Sequence, residues 1–142
     1  MASRRDFLTQ IMGASRAQDS FEMADRIARG LPRRALDRLK AEMDLTDADV
    51  ATALGISAKT ISRLRKRRTR ALDELTSDRL YRVARIFSFA EQVLGNRAAA
   101  ARWLRRPQMG LGMRVPLDLM RSEPGAREVE DLLGRIEYSV LW

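Results

Sequence analysis

The segment 59–70, KTISRLRKRRTR, places seven basic residues and no acid in twelve positions. Lys59, Arg63, Arg65, Lys66, Arg67, Arg68 and Arg70 carry +7 of a formal net charge of +8, which leaves twenty basic residues against nineteen acidic elsewhere. Charge gathered in this way is the footprint of a polyanion-binding surface, whereas evenly spread charge confers only solubility. The chemistry on offer is non-covalent: guanidinium forks grip phosphate oxygens and, in a groove, the paired acceptors of guanine. Arg63 is the candidate for bidentate contact with guanine, and Ser62 or Lys59 for a second base contact. Arg65, Arg67, Arg68 and Arg70 are placed to clamp backbone phosphates.

Catalytic chemistry has few carriers. The chain contains no histidine and no cysteine, which removes the commonest general base, the thiol nucleophile, disulfides and most metal ligands. Asp73 with Glu74, and Glu128 with Glu130 and Asp131, are the only carboxylate groupings that invite an acid/base reading, and each is better read as a solvated helix face. No glycine-rich loop followed by Lys-Ser/Thr is present to hold a nucleotide. The inventory argues against an enzyme, and no cofactor or metal is expected.

The elements that position the basic face form a helix-turn-helix over residues 46–66, TDADVATALGISAKTISRLRK. Thr46 caps a short helix, with Asp49 three residues on completing a capping box. Val50, Ala51 and Leu54 lie on its buried face, and Ala51 is small enough to let a second helix approach. Gly55 turns the chain where a β-carbon is least tolerated. Ser57 caps the second helix, whose Ile61 and Leu64 face inward. Its outward face reads Lys59, Thr60, Ser62, Arg63 and Lys66, the residues that a recognition helix presents to the major groove, and Ser57 joins them at the N-terminal end.

The remaining segments are helical in pattern, and the fold class is all-α. Phe21, Ala24, Ile27 and Ala28 are spaced for the buried side of a short helix closed by Gly30; Pro32 starts another, with Leu36, Leu39 and Met43 as its stripe. Thr76 or Ser77 is expected to cap a long helix carrying Leu80, Val83, Ala84, Phe87, Ala90, Val93 and Leu94 and ending at Gly95. Asn96 caps the next helix, 97–105, with Ala98, Ala101, Trp103 and Leu104 for burial, and Pro107 stops it. Pro116 starts a single turn, and a last helix over 125–136 buries Val129, Leu132, Leu133 and Ile136. Residues 1–20 surround a small apolar cluster, Phe7, Leu8, Ile11 and Met12, and are expected to form a frayed or partner-dependent helix. No apolar run approaches the roughly 20 residues that span a bilayer. The N-terminus has no sustained apolar core of signal-peptide type, so a cytoplasmic or nucleoid-associated protein without membrane contact is expected.

From Trp103 onward a second signature appears. Trp103-Leu104, Pro107, Leu111-Gly112, Pro116-Leu117-Asp118-Leu119, Gly125, Val129, Leu132-Leu133 and Arg135-Ile136 resemble the toxin-binding domain of Xre/MbcA/ParS-type antitoxins. The preceding SDRLYRVARIF, with Ser77, Asp78 and Arg79, and the helix-turn-helix are similar to that family too, so the resemblance spans residues 22–142. It implies a variable segment 1–20, a DNA-binding domain 21–76 and a toxin-binding domain 77–142. It further implies a RES-domain toxin as partner, an enzyme that degrades NAD⁺ and whose active site the antitoxin blocks with its C-terminal end. Operator DNA is the second partner, bound by a homodimer that represses the shared operon from within a larger hetero-oligomer.

The toxin-facing set that follows is Trp103, Arg105, Arg106, Tyr138, Ser139, Val140, Leu141 and Trp142. Trp103 also reads as a core anchor, and Arg105 and Arg106 as solvated side chains. Two departures from the family pattern stand out: Met113 replaces a second glycine after Gly112, which is expected to stiffen the loop, and Tyr138-Ser139-Val140 replaces Tyr-Gly-Val. A stand-alone repressor whose C-terminal half only dimerises, and an inhibitor whose helix-turn-helix serves protein contacts, are the competing readings.

Overall fold

The three-four alternation centred on Leu80, Val83, Ala84, Phe87 and Ala90 produces the axis of the molecule, a 21-residue helix with all five side chains buried. The computed structural model describes residues 20–66 and 71–138. In chain order these form α1 (Ser20–Arg29), α2 (Arg33–Glu42), α3 (Asp47–Leu54), α4 (Ala58–Lys66), the long α5 (Glu74–Leu94), α6 (Arg97–Arg105), a 3₁₀ turn (Met109–Leu111), the short α7 (Pro116–Leu119) and α8 (Glu123–Glu137). The architecture is all-α; among the described residues extended pairing is confined to two isolated bridges, Pro32 with Ala71 and Gln108 with Arg114.

Helix α5 packs against α1 and α3 on one side and against α6 and α8 on the other. Helix α7 closes the assembly by touching α3, α6 and α8. Buried apolar residues from Met23 to Leu133 accordingly form one continuous cluster. The long helix that the sequence assigns to the C-terminal half thus belongs to both halves.

Two expectations are corrected by packing. The long helix begins at Glu74 with Asp73 as its N-cap, one turn ahead of Thr76 and Ser77. The reason is distant in sequence: the Leu72 amide donates to the Leu31 carbonyl at 2.8 Å, which sets the chain's direction early. Ser77 is then buried, and its Oγ accepts from the Leu31 amide at 2.8 Å. In α1 the buried side is Met23, with Ile27 half-buried, while Phe21 is 81% exposed and Ala24 and Ala28 face solvent. One short helix resting on one long one buries a narrow stripe, and Met23 with Ile27, four apart, occupies it. The cap assignments at Thr46, Ser57 and Asn96 match the structure, each side chain accepting from the backbone amide three residues on, and Ser122 caps α8 in the same way.

Candidate functional site

The helix-turn-helix is held by short-range pairings. Thr46 and Asp49 form the reciprocal capping box, both bonds 3.1 Å. Gly55 adopts a left-handed conformation, φ 66°, and α3 ends there with the Ile56 amide donating back to the Ala51 carbonyl at 3.0 Å. Ala51, Leu54 and Ile61 are buried between α3 and α4. A further residue fixes the turn from outside: Arg79, on α5, donates through Nη1 to the carbonyls of Leu54 (3.2 Å) and Gly55 (3.3 Å). It thereby satisfies acceptors that a helix C-terminus leaves open. Arg79 entered the sequence reading only as part of SDRLYRVARIF, and no local spacing marks its target.

On α4, Lys59, Ser62, Arg63 and Lys66 are exposed. Among the described residues no hydrogen bond or ion pair engages their side chains, so this face keeps its full donor capacity. Ser57 and Thr60 are partly spent on each other: Ser57 Oγ accepts from the Thr60 amide at 3.0 Å and lies 2.8 Å from Thr60 Oγ1. Arg65 is placed differently from the others. It is paired with Asp47 at 2.9 Å, which also holds Lys40 at 2.9 Å, and its carbonyl accepts from Arg33 at 3.1 Å. Arg65 therefore braces α4 against α3. Arg67, Arg68 and Arg70 lie outside the described residues.

In the C-terminal half several arginines are occupied internally. Arg105 donates to the carbonyls of Met43 (3.1 Å) and Asp44 (2.8 Å), so it faces the α2–α3 turn. Arg97 pairs with Glu42 and with Glu91, and Arg85 with Glu130 at 2.6 Å. Glu130 is thereby taken out of the carboxylate grouping on α8; among the described residues no three potential ligands gather to hold a metal. Trp103 packs half-buried against the core, and its carbonyl accepts from Gln108 at 2.9 Å. Arg106 is exposed, and Tyr138 is 76% exposed at the end of α8. Residues Ser139, Val140, Leu141 and Trp142 lie outside the described residues.

On the loop before α7 two methionines are exposed: Met109, which sequence reasoning missed, and Met113, which it marked only as a replacement for glycine. The 3₁₀ turn that carries Met109 sits tightly on α8, where a β-carbon on Gly110 would lie 2.6 Å from Leu132. Met113 has φ 64°, directly after Gly112 at φ 62°. Two successive left-handed residues explain why glycine suits this position, and methionine adopts it at a steric cost.

A helix-turn-helix with an exposed basic second helix, joined through a shared long helix to a second helical layer, defines a two-part helical protein of the DNA-binding type. Residues 22–85 match the Antitoxin Xre-like helix-turn-helix domain, and residues 89–138 match the Antitoxin Xre/MbcA/ParS C-terminal toxin-binding domain. The two matches meet within α5. The chain is 32% identical over 119 residues to a protein of Yersinia enterocolitica named Antitoxin Xre, covering 83% of this chain and 80% of that one. A second Antitoxin Xre, from Photorhabdus laumondii, is 29% identical over 116 residues, 79% of this chain and 76% of the relative. A third, from Pseudomonas putida, is 35% identical over 75 residues, 53% and 46% of the two chains. The chain belongs to the Xre/MbcA/ParS antitoxin family. Among the described residues no helix is long and apolar enough to cross a membrane.

Proposed function

We propose that this antitoxin neutralises a RES-domain toxin that degrades NAD⁺, by binding it and occluding its active site. In the same reading it represses its own operon from the cytoplasm, as a homodimer within a larger toxin–antitoxin assembly that grips operator DNA through α4. It performs no catalysis itself. The observation that carries the reading is the union of an unengaged basic face on α4 with a toxin-binding domain built on the same long helix.

The contact set sharpens at one position. Arg105 is held by backbone carbonyls of the α2–α3 turn, so the toxin-facing surface is better placed at Arg106, Met109, Met113 and Tyr138, with Trp103 supporting it from beneath. In this reading residues 139–142 enter the toxin's NAD⁺ site. The test is NAD⁺ hydrolysis by the toxin encoded beside this chain, saturated with the full chain or with one lacking 139–142. Full-length protein should abolish hydrolysis, and the truncated protein should bind yet release it; complete inhibition by the truncated protein would place neutralisation in the helical body.

A further inference from the structure

We propose that Arg121, at the junction of α7 and α8 in the toxin-binding half, is a DNA-backbone contact that receives a phosphate beside the recognition helix. The inference rests on the operator-binding reading of α4 and extends the DNA footprint into the other half of the chain.

A cleft of about 620 Å³ separates the helix-turn-helix from that junction. One wall is α3 and the turn, with Ala48, Thr52, Gly55 and Ala58, the first residue of α4; the other is Arg121 and Ser122. Arg121 is the only charged side chain among the described residues that line it, and no acid is present. In helix-turn-helix complexes the first helix of the motif crosses the DNA backbone while the second enters the major groove. The cleft therefore opens where a phosphate strand would pass.

The mounting of Arg121 is rigid. A β-carbon built on Gly55 would lie 3.1 Å from Arg121 Cβ and 3.5 Å from its carbonyl oxygen, so the junction rests directly on the turn that aims α4. Its guanidinium is uncommitted. Among the described residues Arg121 makes no hydrogen bond or ion pair and is exposed, whereas Arg79, which reaches the same turn, is spent. Arg79 is held by two carbonyls, Arg65 by Asp47, and the neighbouring acid Glu123 by Arg127 at 3.0 Å. An unpaired guanidinium with a planar donor fork, fixed next to a recognition helix, suits a phosphodiester.

The experiment measures affinity of the full chain for two duplexes, its own promoter DNA and an unrelated sequence of equal length, between 50 and 200 mM salt. Arg121→Gln should weaken both duplexes by the same factor, leaving the ratio between them intact. It should lower the salt slope by about 0.9, so that wild type loses about 3.5-fold more affinity than the variant across that range. Arg121→Lys, which keeps the charge, should retain the wild-type slope; a purely structural role for the side chain would not be rescued in this way. If Arg121→Gln keeps the wild-type slope while Arg63→Ala loses promoter affinity, the Arg121 assignment is overturned and the role of α4 stands. If wild type binds neither duplex with salt-dependent affinity, the operator-binding reading fails and this inference falls with it.

Discussion

Arginine does two kinds of work in this antitoxin. On α4 the exposed cations Lys59, Arg63 and Lys66 make no hydrogen bond or ion pair with the rest of the described chain. On α5 and α6 four arginines are absorbed: Arg79 and Arg105 by backbone carbonyls, Arg85 and Arg97 by glutamates. The C-terminal half also exposes apolar side chains, Met109, Met113 and Tyr138, beside uncommitted arginines such as Arg106 and Arg121. In the function proposed above α4 serves a polyanion and the surface at Met109, Met113 and Tyr138 a protein, although a single core supports both. Charge composition alone cannot separate these uses of arginine; the partners do.

The largest expected effect tests the shared core. Phe87, fully buried on α5, should cost about 3–5 kcal/mol when truncated to alanine. Because α5 serves both halves, Phe87→Ala should lower the midpoint of a single thermal transition and weaken DNA and toxin binding together. Two separate transitions, with only one shifted, would break the picture of one core with two faces.

The two classes of arginine come next. Arg63→Ala should cost roughly 1–3 kcal/mol in promoter binding and relax discrimination at one base pair, while leaving the melting temperature unchanged. Arg105→Ala should do the reverse, costing about 1 kcal/mol of stability through two lost charge-assisted bonds at a partly solvated site, with little change in the salt slope of DNA binding. Paired measurements of melting and DNA affinity on both variants check this. Equal effects of the two substitutions on both readouts would erase the distinction.

The smallest effect concerns the apolar surface. Met113→Gly relieves a left-handed methionine, worth roughly 1–2 kcal/mol, against the entropy that glycine adds to the unfolded chain. A net gain of about 0.5 kcal/mol in thermal stability is expected, together with weaker toxin binding if the exposed side chain is part of that contact.

The helix-turn-helix was legible because each of its steps is local: cap, small residue, glycine and second cap fall within 21 residues, and all four occupy their expected places. The start of α5 was not, because Ser77 serves an amide 46 residues away. Arg105 likewise finds its acceptors 61 and 62 residues back, a pairing that no periodicity encodes. The buried side of α1 depends on which turn of α5 it meets, and the sequence of α1 alone allows more than one phase. The second partner was legible only through resemblance, since glycines and prolines that shape a turn look alike whatever later binds it.

We propose that the toxin and DNA surfaces are distinct, the toxin being the RES-domain enzyme of the proposed function. The most direct test is NAD⁺ consumption by the cognate RES-domain toxin titrated with wild-type chain and with Arg63→Ala. The account predicts that both proteins abolish consumption at the same molar ratio, although only wild type retains full promoter affinity. Undiminished NAD⁺ consumption at saturating wild-type chain, or loss of inhibition with Arg63→Ala, would contradict it.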